Sequence, residues 1–182
     1  MLSDCKTVVE WVLKEKSNLA SSKSKIGIIG DSAGGHLSSI ITHDFKNVFD
    51  YQILVYPCVD LHSKHDSHDE FKHDMYYLVP ELLEFFCGNV VEDKNELKQA
   101  HISPILRDDY ENMPPTLIIA AELDPLVDNS KIYFDKLKKH GNQVELKIVN
   151  GTVHGFFHNG FYLKQAFETS VEYICQFLNS LN

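Results

Sequence analysis

The sequence has 182 residues, of which 43% are hydrophobic and 24% charged, and its formal net charge is −9. This composition is typical of a globular domain and excludes a disordered, collagen-like or disulfide-stapled chain, because a chain of this length can bury an adequate core. The 17 basic residues are scattered and outnumbered by acidic ones, which argues against nucleic acid as a partner.

The sequence also bears on location and redox environment. Residues 1–16 lack a basic stretch followed by an apolar run, and no apolar run approaches the roughly 20 residues that span a bilayer. We therefore expect a cytoplasmic chain without a transmembrane segment. The cysteines Cys5, Cys58, Cys87 and Cys175 form no Cys-x-x-Cys pair, so we expect buried free thiols.

Strands and helices alternate along most of the chain. Apolar residues recur at three- and four-residue intervals over residues 2–19, which predicts an amphipathic helix with Trp11 in the core. Residues 26–30 predict a strand buried on both faces, and residues 33–45 a helix. Further strands are predicted at 51–56, 116–121 and 144–149, and a last helix at 163–181.

This alternation predicts an α/β fold with a mostly parallel half-sheet of about four strands flanked by helices. We expect one domain over residues 1–182. Residues 59–99 carry no strand signal between two predicted strands. Such a long interruption usually lies over one end of the sheet, so we expect a helical, cap-like insertion there.

A serine motif lies between the first predicted strand and the following helix. Gly30-Asp31-Ser32-Ala33-Gly34 fits Gly-x-Ser-x-Gly in the strand–turn–helix context that the motif requires. Such a turn strains the serine backbone, projects its hydroxyl at the carboxyl end of the sheet and needs small flanking residues. The amide of Ala33 would point toward an oxyanion formed at Ser32. The alternative is a glycine-rich turn with a capping serine.

A serine hydroxyl becomes a good nucleophile only beside an imidazole that a carboxylate orients. Asp124 follows the third predicted strand and His154 the fourth, so both lie at the same end of the sheet as Ser32. The chain order serine, acid, histidine is that of α/β-hydrolases. Glu122 and Asp128 remain alternatives for the acid, and His158 for the histidine.

Three segments resemble the nucleophile, acid and histidine motifs of the hormone-sensitive-lipase-like family of α/β-hydrolases. They are residues 30–35 (GDSAGG), 121–126 (AELDPL) and 153–157 (VHGFF). The resemblance implies a small-molecule carboxylic ester with a short or medium acyl group as substrate, and no cofactor. It also assigns residues: Ser32, Asp124 and His154 as the catalytic triad, Ala33 in the oxyanion hole, and Gly30, Asp31, Gly34 and Gly35 in the nucleophile elbow.

One family feature is missing. Members carry a His-Gly-Gly-Gly segment upstream of the nucleophile, which provides most of the oxyanion hole, and this sequence has none. The chain therefore resembles the carboxyl-terminal portion of such a hydrolase, and we expect reduced activity. Strand 26–30 would be an uncovered edge able to pair with another chain. The alternatives are a non-catalytic fragment or binding module, and an amidase or peptidase on the same fold.

Two groups in the insertion each have two interpretations. The first is a histidine-rich stretch, which could ligate a metal but is more typical of a solvated loop, so we predict no metal site there. It comprises His62, His65, His68 and His73. An aromatic group could line an acyl pocket or pack the insertion onto the sheet: Tyr76, Tyr77, Phe85 and Phe86.

Overall fold

A computed structural model describes residues 2–21 and 23–181. Its helices are α1 (Leu2–Leu19), α2 (Ala33–Asp44), α3 (Asp66–Glu70), α4 (Pro80–Gly88), α5 (Val127–Lys139) and α6 (Lys164–Ser180). Its strands are β1 (Gly27–Asp31), β2 (Tyr51–Val55), β3 (Thr116–Leu123) and β4 (Val144–Val153). Short 3₁₀ turns cover Asp74–Tyr76, Lys94–Lys98 and Pro104–Leu106. Of the helices described, none combines the length and the apolar character needed to cross a membrane.

The four strands form one parallel sheet in the order β1-β2-β3-β4, which confirms the predicted α/β architecture. The last two strands run further than the sequence predicted, to Leu123 and Val153. Asp124 and His154 are therefore the first residues beyond their strands, at the carboxyl end of the sheet.

Helices cover the two faces of the sheet, since side chains alternate along each strand. On one face Ile53 and Leu117 pack in a cluster with Phe177 of α6. On the other face Leu54 and Ile118 pack in a cluster that includes Tyr133 of α5. This two-sided burial explains why the central strands read as continuous apolar runs.

Strand β1 is not buried on both faces, so that prediction was wrong. Ile29 is 57% exposed. It pairs in register with Ile53 and so lies on the face that α6 covers, but α6 packs on β3 and β4 at the other side of the sheet. The outer strand is thus left uncovered on that face.

Helix α1 has the predicted bounds, but the prediction that Trp11 lies in the core was wrong. Trp11 is 54% exposed, and no residue of α1 is buried. The helix lies beside β1 and α2 across an open apolar groove of about 400 Å³, lined by Val9, Ile28 and Ile41 among others. Periodicity correctly gave α1 an apolar side, but that side faces a groove instead of a closed core.

The expectation of buried thiols is confirmed for Cys58 and Cys87 only. Cys5 is half-buried on α1, and Cys175 is exposed on α6. Both of these helices lie at the outside of the layered fold, which accounts for the difference.

The segment between β2 and β3 contains helices and turns, and no strand is found among its residues. Ser67 of α3 binds this segment to the loop after β3 and to the first turn of α5. The Ser67 N–H donates to Asp128 Oδ2 over 2.9 Å, and its hydroxyl donates to the Pro125 carbonyl over 2.6 Å. These bonds hold the segment against the carboxyl end of the sheet.

A buried histidine on α2 links stability to pH. His43 packs edge-on against Tyr110 at 4.9 Å, and its Nε2 lies 3.2 Å from the Tyr133 hydroxyl. Burial, followed by the nearby positive charge of Arg107, lowers the pKa of His43 from 6.5 to about 4. The folded protein therefore keeps this imidazole neutral where an unfolded chain would protonate it.

We predict that the free energy of unfolding falls by roughly 3 kcal/mol through His43 alone as the pH drops from 6.5 to 4. The sign follows because the unfolded chain takes up the proton below pH 6.5, while the folded chain resists it until about pH 4. Urea denaturation across this interval should show a smaller loss in His43→Phe than in the wild type. The exposed control His73→Gln should keep the wild-type loss, and an identical loss in His43→Phe would refute the assignment.

Candidate functional site

The turn between β1 and α2 holds Ser32 in a strained conformation, with φ 50° and ψ −114°. The Ser32 N–H donates to the Val55 carbonyl over 2.8 Å, which ties the turn to β2. A Cβ on Gly30 would lie 2.2 Å from the Gly34 carbonyl oxygen, and one on Gly35 would lie 2.8 Å from Pro57 Cβ. Close packing therefore requires glycine at positions 30 and 35.

Gly34, the last glycine of the motif, is different. Outside its own helix, the nearest atom to a Cβ at this position would be Asp31 Oδ1, at 3.9 Å. Packing around the turn therefore does not explain the glycine there, although the motif includes it.

The structure brings Ser32, His154 and Asp124 into one hydrogen-bonded row. Ser32 Oγ lies 2.8 Å from His154 Nε2, and His154 Nδ1 lies 2.7 Å from Asp124 Oδ2. A carboxylate accepts, so Nδ1 carries the proton and Nε2 is left to accept from the serine hydroxyl. Asp124 is fully buried, and its Oδ1 accepts the Leu126 N–H over 2.9 Å, which fixes the carboxylate.

The alternative acids are engaged elsewhere. Glu122 Oε2 accepts the Gly151 N–H over 2.6 Å and so braces the end of β4. Asp128 accepts the Ser67 N–H, as described above, and is also 3.0 Å from Lys131 Nζ. The structure therefore places Asp124, and neither alternative, beside His154.

The alternative histidine pairs with the motif itself. His158 is 70% exposed, and its Nε2 lies 2.5 Å from Asp31 Oδ2. This contact joins the serine turn to the loop after β4. Asp31 and His158 are both candidates from the sequence, but nothing in the linear pattern relates their two loops.

Tyr56 is a residue of the site that sequence analysis did not single out for a role. It follows β2 with φ 35°, and its buried ring lies 4.7 Å from the ring of His154, centroid to centroid. Burial raises the pKa of its phenol well above the usual range. The sequence feature that could have indicated this role is its position after β2 and before Pro57. This is the carboxyl end of the sheet, where the other site residues lie.

Ser32 and His154 open into a cavity of about 670 Å³. Much of its remaining wall is apolar and comes from the segment between β2 and β3: Leu61, Tyr77, Leu78, Leu82, Leu83, Phe86 and Val90. Of the four aromatic residues considered above, Tyr77 and Phe86 thus line the cavity, whereas Tyr76 packs on Phe71 at 5.2 Å and Phe85 is exposed. A cavity of this size and polarity suits a small organic ligand.

Ala33 supplies a backbone donor in this cavity. It is the first residue of α2, so its N–H has no acceptor within the helix and sits at the positive end of the helix dipole. The neighbouring Ser32 N–H is already used by Val55. Of these two amides, Ala33 has the one that can meet negative charge on a ligand.

The histidine-rich stretch uses its polar groups on itself. Asp60 Oδ1 accepts the N–H groups of His62 and Ser63, and Asp60 Oδ2 lies 3.1 Å from His65 Nε2. His68 Nδ1 accepts the His65 N–H over 3.1 Å. Within residues 2–21 and 23–181, no three side chains of metal-binding type are grouped to hold an ion. These contacts shape the loop.

Comparison with known proteins gives consistent matches. A model of the alpha/beta hydrolase fold family matches residues 1–158. An arylesterase of Saccharolobus solfataricus is 28% identical over 156 residues, which cover 84% of this chain and 51% of the relative. An ethyl acetate hydrolase of Pseudomonas putida is 26% identical over 163 residues, covering 87% and 51%. The chain thus spans about half the length of these curated relatives.

Solved structures agree in fold. A hyperthermophilic esterase of the archaeon Pyrobaculum calidifontis superposes with a TM-score of 0.88 at 30% identity, covering 97% of this chain and 59% of that one. The Francisella virulence factor BioJ superposes with a TM-score of 0.82 at 32% identity, covering 96% and 60%. Because the family model matches residues 1–158, the chain belongs to the hormone-sensitive-lipase-like family of α/β-hydrolases. Its parallel sheet and the strand–turn–helix at Ser32 agree with this.

Proposed function

We propose that this chain hydrolyses carboxylic esters with short or medium acyl groups, using Ser32 as the nucleophile. The observation that carries the proposal is the row of hydrogen bonds from Ser32 Oγ through His154 to the buried Asp124, at the wall of an apolar cavity. Relatives named as an arylesterase and an ethyl acetate hydrolase support esters as the substrate class.

In the proposed reaction, Ser32 Oγ attacks the acyl carbonyl while His154 Nε2 takes the hydroxyl proton. His154 then passes that proton to the departing alcohol, which leaves an acyl group on Ser32. A water molecule, deprotonated by the same nitrogen, releases the acid and restores the serine. Asp124 keeps the proton of His154 on Nδ1 and stabilises the imidazolium that forms in each half of the cycle.

Ala33 is the proposed donor to the oxyanion. Removal of a single oxyanion donor typically lowers kcat by about 10² to 10³. Because the sequence lacks the His-Gly-Gly-Gly donors of the family, we propose that the chain turns over slowly by itself. A matching anilide cleaved faster than the ester would instead assign an amidase.

We predict that Ser32→Ala and His154→Ala each lower hydrolysis of p-nitrophenyl butyrate by at least about 10³-fold, or to background, because each removes a member of one concerted unit. The release of p-nitrophenol measures this. The exposed His73→Ala is the matched histidine control and should keep wild-type activity. Equal activity of the wild type and Ser32→Ala, in protein with native circular dichroism, would contradict the proposal.

The cavity wall provides a test of acyl length. Leu82 and Phe85 lie on the same helix, α4, but only Leu82 lines the cavity. We predict that Leu82→Trp lowers kcat/KM for the octanoyl ester relative to the acetyl ester by about tenfold or more, since each lost methylene contact costs about 1–3 kcal/mol. Phe85→Trp should leave the ratio unchanged. If Leu82→Trp also left it unchanged, the acyl group would not lie against α4.

A second candidate function is pairing with another chain through β1, and the open edge of this strand favours it. The Ile26 carbonyl and the Ser32 N–H bond toward β2, so by alternation the N–H and C=O groups of Ile29 point outward. Residues 26–30 carry no charge, whereas β4, the other edge, carries the ion-paired Glu145 and Lys147. An uncharged apolar edge is a typical pairing surface.

We predict that the purified wild-type chain self-associates as its concentration rises and that Ile29→Lys does so much less, because a charge on an edge strand opposes pairing. Light scattering coupled to size exclusion measures the mass. Leu19→Lys, at an exposed position on α1, is the control and should behave as the wild type. A monomeric wild type at every concentration would count against pairing between copies.

A further inference from the structure

The wall of the Ser32 cavity contains two cysteines that the proposed ester chemistry does not use. Cys58 belongs to the segment that follows β2, and Cys87 to α4. Both line the cavity together with Ser32, and both are nearly buried. They also lie in one apolar cluster with Leu83 and Leu126. Two residues that are 29 positions apart in sequence thus bring their thiols to one place.

The two thiols lie in one cluster, and each is the largest influence on the pKa of the other, raising that of Cys58 and lowering that of Cys87. Burial raises the pKa of Cys58 further. Because the thiolate is the reactive form of cysteine, these shifts favour Cys87 over Cys58 as the nucleophile of the pair.

We propose that Cys58 and Cys87 form a reactive dithiol site that takes small organic disulfides and closes to a disulfide linking α4 to the segment after β2. The site is defined by the shared cavity, the shared apolar cluster and the position of the two cysteines on separate elements of the fold.

The two cysteines are equally buried but differ in the cavities that they line. Cys87 also lines a second cavity, of about 340 Å³, whose wall includes Lys94 and Lys98. Of these two cavities, Cys58 lines only the one that contains Ser32. Its lowered pKa and its place in the walls of both cavities favour Cys87 as the first thiol to react.

Formation of the Cys58–Cys87 disulfide needs no reagent other than the small organic disulfide. The Cys87 thiolate attacks a small disulfide RSSR, forms a mixed disulfide Cys87–S–SR and releases RS⁻. The Cys58 thiol then loses its proton to that thiolate or to solvent and attacks the Cys87 sulfur. The second RS⁻ leaves and is protonated, so that two protein thiols are oxidised and one RSSR is reduced to two RSH.

Closure requires the two sulfur atoms to move to the disulfide bond length of about 2.05 Å. Helix α4 can make this movement because, within it, only Leu83 and Cys87 are buried. Leu82 and Phe86, on the same helix, line the Ser32 cavity. The disulfide would thus fix one wall of that cavity to the segment that follows β2. The inference concerns thiol chemistry and holds whether or not Ser32 hydrolyses esters.

The test uses the variant Cys5→Ser/Cys175→Ser, which keeps only the two cavity thiols. The folded protein is incubated with bis(2-hydroxyethyl) disulfide, then denatured, alkylated with N-ethylmaleimide and weighed as the intact chain. We expect a product that adds no maleimide and carries no hydroxyethylthio group, with Cys58 and Cys87 linked in the peptide map. Dithiothreitol should restore two alkylation sites.

Single replacements in this background separate the two steps. Adding Cys58→Ser should stop the reaction at a mixed disulfide on Cys87, and adding Cys87→Ser should slow modification at least about tenfold. Two maleimides on the treated parent, or stable hydroxyethylthio adducts in place of the linked peptide, would overturn the proposal. So would closure that is no faster in the folded protein than in urea, a comparison that needs no single replacement to fold.

Discussion

The parallel alignment of four strands is the constraint on which the rest of the molecule depends. It puts the carboxyl ends of β1, β3 and β4 at the same end of the sheet. The next residues there are Ser32, Asp124 and His154. Ser32 and His154 are 122 positions apart in sequence, yet Oγ and Nε2 are 2.8 Å apart. The central strands are buried on both faces, so that this end of the sheet is a rigid base for the site.

Much of this arrangement could be predicted because its signals are local. Apolar runs between turn residues located the strands, and the serine motif located the turn. Together they predicted which residues lie at the carboxyl end of the sheet. Periodicity shows which residues share a face but not what covers that face, which is why Trp11 and Ile29 were wrongly placed in the interior. Contacts between distant loops, such as Asp31 with His158, leave no pattern in the sequence at all.

The sheet and the inserted segment contribute different things to the site. The carboxyl end of the sheet holds the hydrogen-bonded Ser32, His154 and Asp124. The insertion supplies much of the apolar wall of the cavity, including Leu82 and Phe86 on α4. In the proposed reaction, the sheet would thus supply the reacting groups, and the insertion would determine which acyl group fits. Cys58 and Cys87 lie where the two parts meet, so their oxidation would act on the wall and leave the hydrogen-bonded row in place.

Covalent labelling reports directly whether Ser32 is an activated nucleophile. The folded chain is treated with diethyl p-nitrophenyl phosphate, and the labelled residue is located by peptide mass. We predict one diethylphosphoryl group per chain, on Ser32, and no label on the His154→Ala variant, since the imidazole must take the serine proton. A folded chain that stays unlabelled, or that carries the label on another residue, would contradict it.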